Sequence, residues 1–396
     1  MLKQTNELCK ELKNTYDSNV LKKYPISLQK LFIDTSKKKQ TILSTLVNNL
    51  SKTKPNIKFI TGPGECKKYI KDNKTIYIFG ENDHSSKDGC FKYFNTRPNM
   101  TIEKYLEKLF ETTSVFIDFY IELPVITEDL FTTEKYKDVT LMNMYDNLLY
   151  KCLGKNKKKC KWPVRIHTID NRILVNHKKY EHLLLGDMYT QLAQEYYYRK
   201  KYNQKVIHLK LFSVKFHKEI NELSKIKNQK QLTKYFWKKI INNELIQKEI
   251  KKSYLTTNQI KKIYLSHIKM DLKLDVDIPD NFDFENVGKW FSLLSTSNDF
   301  EHFKIMNIIA NIIKVFLSPL IDIYTLTRIF RTFKVKNDEQ YPTEVNNIII
   351  YAGDGHTGPI GETLLSLGFK MTESSTKVRT VKSCTNMSGI KQPLFI

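Results

Sequence analysis

Four short apolar runs along the chain have the pattern of buried β-strands, and each ends in charged or polar residues. They cover residues 75–81, 115–122, 163–170 and 345–353. Continuous apolar runs of this length are typical of strands that are buried on both faces, as in a parallel sheet. A helical pattern over residues 99–112 separates the first two runs. The order strand, helix, strand predicts a βαβ unit and therefore a parallel sheet.

Helical patterns dominate the long segment between the third and fourth runs, for example over residues 183–202 and 232–252. The most apolar stretch, 305–324, contains Asn311 and Asp322, and its apolar residues recur at helical spacing. This pattern predicts a buried helix rather than a membrane span. We therefore predict an α/β fold with a mostly parallel sheet, flanking helices and a large helical insertion.

The same patterns divide the chain into four parts. We predict an N-terminal helical segment over 1–55, the first part of the α/β core over 56–180, the helical insertion over 181–340, and the rest of the core over 341–396. The last part comprises the final strand, a short helix over 358–367 and a tail. The tail from Met371 onward is expected to be loosely structured, apart from an edge strand near 378–381.

The composition is that of a globular protein with a strongly positive charge. The chain has 396 residues, 41% of them hydrophobic, and a formal net charge of +23. Such a charge favours anionic partners. However, only seven of the 65 basic residues are arginine, the preferred side chain for bidentate phosphate contacts. The scattered lysines, accompanied by many Asn and Ile, indicate an AT-rich genome, and non-specific nucleic-acid binding is kept as a weak alternative.

The cysteines and the N-terminal residues indicate the cellular compartment in which the protein is expected. The six cysteines form no CxxC motif, so a zinc site of that type is not predicted, and free thiols in a reducing compartment are expected. The first residues are polar and show no signal-peptide core. We predict a soluble intracellular protein with no membrane partner.

The polar residues after the four runs are the candidate active-site groups, because the carboxyl ends of parallel strands meet at one edge of a sheet. Glu81 and His84 follow the first run, three residues apart. A histidine can take a proton from water that a carboxylate orients, or both can hold a metal. Alternatively, Glu81 caps the next helix and His84 is a solvated loop residue.

Glu122 ends the second run and His356 follows the fourth. A glutamate in an apolar setting has a raised pKa unless it is paired, which suits acid–base chemistry. Gly353 and Gly355 flank Asp354 and allow a sharp turn or a close approach to a ligand, so Asp354 is a candidate substrate-binding residue. Alternatively, Glu122 forms a salt bridge with a lysine, and His356 is exposed on a turn.

Four further candidates lie along and beyond the third run. Arg165 and His167 share one face of this strand, Asp170 ends it and Arg172 follows. These residues could bind a substrate, for example through its carboxylate. A purely structural ion pair between Asp170 and Arg172 is the alternative.

The other histidines have no partner pattern, and we expect them to be surface or satisfied interior residues. They are His177, His182, His208, His217, His267 and His302. The sequence also has no Gly-x-Ser-x-Gly elbow, no P-loop and no GxGxxG, so a serine hydrolase or nucleotide enzyme is not supported.

The segment Gly80-Glu81-x-x-His84, the strand-end Glu122 and the later Ala352-Gly353-Asp354-Gly355-His356 resemble the superfamily of erythromycin esterase, ChaN, TraB and TIKI proteins. The resemblance spans about residues 70–185 and 340–372 and departs from the pattern at Gly353, where the esterases more often carry a histidine. It implies an α/β protein in which Glu and His activate water. The TIKI branch is regarded as metal-dependent proteases, and ChaN binds haem iron.

By this resemblance the chain is expected to be a hydrolase of small-molecule or peptide substrates. His84 would act as general base on a water held by Glu81 and Glu122, and His356 would stabilise the oxyanion or serve as a second base. If a divalent metal binds, His84, Glu122 and His356 are its expected ligands. Composition and the Arg-x-His-x-x-Asp-x-Arg segment also resemble uncharacterised proteins of large AT-rich DNA viruses. The alternative is therefore an inactive viral structural or host-interaction protein, located in the host cytoplasm or the virion.

Overall fold

A computed structural model describes most of the core of the chain. It covers residues 57–81, 99–124, 160–171, 216–274, 287–293, 299–334, 341–377 and 383–395, with single positions at 90, 144, 148, 149, 152 and 188. The predicted N-terminal helical segment over 1–55, the helix predicted over 183–202 (apart from position 188) and the edge strand near 378–381 lie outside the described residues.

The described residues form ten strands, and most of their helices lie between the sixth and the seventh strand. The strands are β1 (Phe59–Thr61), β2 (Glu65–Lys71), β3 (Lys74–Glu81), β4 (Asn99–Thr101), β5 (Ile117–Pro124), β6 (Val164–Asp170), β7 (Asn347–Gly353), β8 (Lys370–Ser374), β9 (Thr376–Lys377) and β10 (Cys384–Asn386). The helices are α1 (Ile102–Thr112), α2 (His217–Leu223), α3 (Gln229–Ile241), α4 (Glu244–Ile250), α5 (Thr257–Leu274), α6 (Val287–Leu293), α7 (Asp299–Leu317), α8 (Pro319–Ile329) and α9 (Asp354–Ser366).

The main sheet has six strands in the order β6-β5-β7-β3-β2-β8. The pairs β6–β5, β5–β7 and β7–β3 are parallel, whereas β2 runs antiparallel to both β3 and β8. The predicted α/β class with a mostly parallel sheet is therefore confirmed. A second sheet of four short strands has the order β4-β1-β10-β9.

Side-chain alternation along the strands divides the hydrophobic core between the two faces of the main sheet. In β7, Ile348 and Ile350 pack into the core that the long helices form, while Ile349 and Tyr351 pack into a second core. The second core also contains the apolar face of α1 and residues beside the second sheet. We call these two surfaces the helix face and the α1 face of the main sheet.

Capping residues in the sequence set the ends of several helices between β6 and β7. Asn228 and Asn243 cap α3 and α4, each accepting a hydrogen bond from a backbone N–H in the first turn, so the single helix predicted over 232–252 is divided. Ser318 and Pro319 likewise separate α7 from α8. The described residues from 216 to 274, 287 to 293 and 299 to 329 are mainly helical.

The stretch Asn307–Ile329 is long and apolar enough to cross a membrane by length and composition. However, 94% of its most apolar window is buried inside the protein. This burial agrees with the prediction of a core helix in that region, and it is the environment expected for a helix of a soluble protein.

The tail and the cysteines differ from the sequence expectation. The tail is ordered by pairing, because β8 extends the main sheet and β10 pairs with β1. Free thiols were the wrong prediction for four cysteines, since Cys90 is bonded to Cys384 and Cys152 to Cys160. Cys66 is free and buried. Disulfides persist in oxidising compartments, so cysteine usage gives no support for a reducing one.

Candidate functional site

The carboxyl ends of β6, β5, β7 and β3 meet at one edge of the main sheet, as the strand pattern predicts. In the parallel register, Glu81 at the end of β3 lies beside Gly353 at the end of β7. Glu122 lies at the end of the neighbouring strand β5.

Glu122 connects two strands and one helix at this edge. Its Oε2 accepts a hydrogen bond from the backbone N–H of Gly353 at 2.8 Å. Its Oε1 lies 3.3 Å from Nε2 of His356, in the first turn of α9. Because Asp118 and Tyr120 alternate with apolar residues of the second core, Glu122 belongs to the helix face of the sheet.

His356 is held between two carboxylates. Opposite Glu122, its Nδ1 lies 2.9 Å from Oδ1 of Asp322 in α8. Burial alone would lower the pKa of His356, but the charges of Glu122 and Asp322 outweigh burial and raise it to about 10. At neutral pH the ring is therefore an imidazolium that donates towards both carboxylates.

Asp322 bridges two histidines. Its second oxygen, Oδ2, contacts Nδ1 of His267, which lies in α5. Both side chains are fully buried. Burial by itself raises the pKa of Asp322, but electrostatic interactions and hydrogen bonds with His267 and His356 lower it below its ordinary value.

His267, Asp322 and His356 form a buried group that could hold a metal ion. Each offers one ligand atom, and these atoms lie within 4.8 Å of one another. Two imidazoles and a carboxylate are a donor set that divalent zinc and related transition metals accept. The structure thus places the candidate metal site on α5, α8 and α9. We refer to these three residues with Glu122 as the His356 cluster.

Sequence reasoning missed His267 and Asp322. His267 was expected to be a surface or satisfied interior residue, and Asp322 was noted only as a polar interruption of an apolar helix. One signal was present: Asp322 is an acid between Ile321 and Ile323, in a helix whose surroundings are almost entirely apolar. A buried carboxylate of this kind needs a charged partner, but no spacing rule identifies a partner 55 residues away.

Glu81 is placed apart from the His356 cluster. It is buried, with 2% exposure, and it follows Tyr77 and Phe79 on the α1 face. Its charge acts on the hydroxyl of Tyr351, whose pKa is raised first by burial and then by this carboxylate. The structure therefore brings Glu122 and His356 together on the helix face, whereas Glu81 is aligned with the residues of the α1 face.

Asp354 begins α9 beside Gly80 of β3. A Cβ added at Gly80 would clash with Oδ1 of Asp354 and lie 2.8 Å from Oγ1 of Thr357. The absence of a side chain at Gly80 thus permits α9 to start directly against the sheet. His84 and Arg172, the two other predicted site residues at strand ends, lie outside the described residues.

Arg165 and His167 are engaged by Asp118 of the neighbouring strand. Arg165 binds Asp118 through two nitrogens, at 2.6 and 3.1 Å, and Nε2 of His167 lies 2.9 Å from Oδ1 of the same carboxylate. Nδ1 of His167 lies 2.9 Å from Nη2 of Arg328. Burial, more than any charge, lowers the pKa of His167 to about 3, so this ring is neutral and donates from Nε2. Asp170 is buried at the end of β6.

The chain matches no protein-family model, no curated protein and no solved structure. The resemblance to the esterase superfamily therefore rests on the motif residues themselves.

Proposed function

We propose that the protein is a hydrolase whose reaction centre is the His356 cluster, with Glu122 as the group that activates water. The observation that supports this proposal is the position of His356 between Glu122 and Asp322 at the carboxyl edge of a parallel sheet. In open α/β proteins, ligands bind at this edge. The motif resemblance through Glu122 and His356 supports the same reaction class.

The donor set of His267, Asp322 and His356 fits a divalent cation, so a metal-dependent hydrolase is the version we favour. A bound cation of this kind would polarise a substrate carbonyl as a Lewis acid. Histidine binds metal only when its ligating nitrogen is deprotonated. Binding at His356 would therefore release a proton at neutral pH, and metal affinity would rise with pH.

The residues of the chain provide the other parts of the reaction. Glu122 is anchored by the N–H of Gly353, which fixes its carboxylate while leaving Oε1 directed at His356. When His356 no longer donates to it, Glu122 becomes a base that can accept a proton from water. Asp322 orients the rings of both histidines, because each Nδ1 contacts one of its two carboxylate oxygens.

The helices between β6 and β7 would form the wall of the substrate site. α5 and α8 carry His267 and Asp322 to the helix face of the sheet, so this segment contributes to the cluster rather than only covering it. We propose that it is the helical insertion of the predicted fold and that it determines which small-molecule or peptide substrate enters.

The first test is metal binding to the full chain, measured by elemental analysis after loading with Zn²⁺ or Mn²⁺ and by calorimetric titration. We expect one saturable site that is lost in His267→Ala and Asp322→Asn. The matched control is His217→Gln, because His217 is an exposed histidine on α2 whose Nε2 hydrogen-bonds Asn221, away from the His356 cluster. Equal metal content in all four proteins, or no saturable binding in any, would contradict the metal site.

The second test is turnover in a panel of esters and peptides. Glu122→Gln is expected to abolish hydrolysis while it retains the metal, since the amide keeps the shape of the side chain but cannot accept a proton. Metal binding with no turnover of any substrate would favour the inactive-scaffold alternative. Binding to nucleic acid that falls steeply with salt would instead favour the lysine-based alternative.

A further inference from the structure

A second group of charged side chains lies on the helix face, towards the amino ends of the strands from Glu122. Arg165 of β6, Arg328 of α8 and Arg331 directly after α8 converge on Phe333. The guanidinium carbons of Arg165 and Arg331 both lie 4.0 Å from the centre of this ring, and that of Arg328 lies 5.2 Å away. We call these three residues the arginine cluster. Three of the seven arginines in the chain are therefore gathered at one place.

Among the described residues, the carboxylates paired with the arginine cluster are fewer than its guanidinium groups. Asp118 binds Arg165, and Glu249 contacts both Arg328 and Arg331, so two carboxylates face three guanidinium groups. His167 lies against Arg328, but it is neutral and adds no negative charge. Burial and then the charge of Arg328 lower the pKa of Arg331, although the charge of Glu249 opposes this shift.

Three buried donors of this group have no hydrogen-bond partner in the described part of the chain. They are Nε of Arg328, Nε of Arg331 and the hydroxyl of Tyr120. The charges of both arginines act on the Tyr120 hydroxyl, so the three donors belong to one neighbourhood. Buried donors without partners cost free energy, and native proteins rarely keep several of them together. The cluster is open to solvent at one side, since 16% of the Arg328 side chain is exposed.

We propose that the arginine cluster and the Tyr120 hydroxyl bind an oxyanion, a phosphate or carboxylate group of a ligand. Such a group supplies the missing negative charge and accepts hydrogen bonds from all three donors. Guanidinium groups present planar sets of N–H donors, which are well suited to planar or tetrahedral oxyanions. Arg165 has Asp118 to itself, whereas Arg328 and Arg331 share the single carboxylate of Glu249, so this pair of arginines provides the binding charge.

The position of this site relative to Glu122 indicates a class of substrate, and this inference about the substrate rests on the proposed function. Tyr120 and Glu122 are two residues apart on one strand and share the helix face, so they are about 7 Å apart along it. An anion held at Tyr120 would orient the rest of a substrate towards the His356 cluster. The substrate class would then be a small anionic molecule or a peptide with an acidic group.

The test is calorimetric titration of the full chain with sodium phosphate and, separately, sodium acetate, at constant ionic strength. We expect saturable binding of one or both, and the preferred anion identifies the group. Tyr120→Phe removes only the hydroxyl and should weaken binding about tenfold, as expected for a hydrogen bond to a charged group. Arg331→Lys keeps the charge but loses Nε–H, and it should weaken binding as well.

The control is Lys261→Gln, which removes a positive charge from the exposed side of α5. It should bind the anion as the unmodified protein does. No saturable binding, or equal binding by Tyr120→Phe, Arg331→Lys and the unmodified protein, would overturn the proposal. Anion binding that persists in Asp322→Asn, a variant that is defective in metal binding, would show that the anion site is separate from the proposed reaction centre.

Discussion

His356 and Asp322 form a buried pair in which Nδ1 of the imidazole lies 2.9 Å from Oδ1 of the carboxylate. The two residues lie in consecutive helices of the described chain, α8 and α9, with strand β7 between them. This pair ties the helical segment to the strand ends, so the position of each element depends on the other.

Removal of the negative charge at Asp322 should destabilise the fold as well as the metal site. Asp322→Asn leaves His267 and His356 without their shared carboxylate, and breaking a buried pair typically costs about 3–5 kcal/mol. Urea denaturation followed by tryptophan fluorescence measures the loss. Glu362→Gln on the exposed side of α9 is the control and should change the free energy of unfolding by less than about 0.5 kcal/mol.

The free energy of unfolding should fall on both sides of neutral pH, because of His356 on the alkaline side and because of His167 on the acid side. The pKa of His356 is raised from 6.5 to about 10, so its contribution is complete below pH 6.5 and is lost as pH rises towards 10. The pKa of His167 is lowered from 6.5 to about 3, so its contribution is complete above pH 6.5 and is lost as pH falls towards 3. Asp322, with a lowered pKa, adds a loss only in stronger acid, below its ordinary value of 3.8.

Urea midpoints measured across this pH range, in the unmodified protein and in two variants, separate these effects. His356→Gln should flatten the alkaline side alone, and His167→Gln should flatten the acid side alone. If both variants kept the full pH dependence of the unmodified protein, the assigned protonation states would be wrong.

Gly80→Ala should displace the start of α9. The added Cβ would clash with the carboxylate of Asp354 and come within 2.8 Å of Oγ1 of Thr357, so these side chains must shift and disturb the first turn of the helix. Because His356 lies in that turn, we expect weaker metal binding and a lower free energy of unfolding. Gly355→Ala is a matched control in the same turn, since its Cβ would meet no atom within 4 Å. That change should be neutral or slightly stabilising, as alanine is the better helix former.

The two disulfides predict a specific labelling pattern. In denaturant without reductant, iodoacetamide should label Cys66 but leave Cys90, Cys384, Cys152 and Cys160 unmodified. After reduction, all five should react, and peptide mapping by mass spectrometry identifies each site. Labelling of Cys90 or Cys384 before reduction would contradict the bond between them.

The two disulfides should also stabilise the folded protein by different amounts. Cys90–Cys384 closes a loop of 294 residues and Cys152–Cys160 one of 8, and the loop-entropy difference corresponds to roughly 3 kcal/mol. Replacement of Cys384 by serine should therefore lower the thermal midpoint more than replacement of Cys160.

The strands and their polar ends were predictable because they depend on local pattern. Residues 75–81 and 347–353 read as buried strands in the sequence, and the structure pairs them in parallel, with Glu81 beside Gly353. The tail was not predictable in this way. β10 has only three residues, and it is held in a strand conformation by pairing with β1, more than 300 residues away along the chain.

The sequence by itself determined the α/β class, the four core strands and the placement of Glu122 and the Gly353–His356 turn at one edge, because hydrophobic periodicity and strand direction are local properties. Only the tertiary structure decided which side chains meet there. It joined His356 and His267 through Asp322, placed Glu81 on the other face, and formed the disulfides, since these contacts depend on how distant segments pack on the sheet. A buried charge is stable only beside a counter-charge, and the residue that provides it can lie at any distance along the chain.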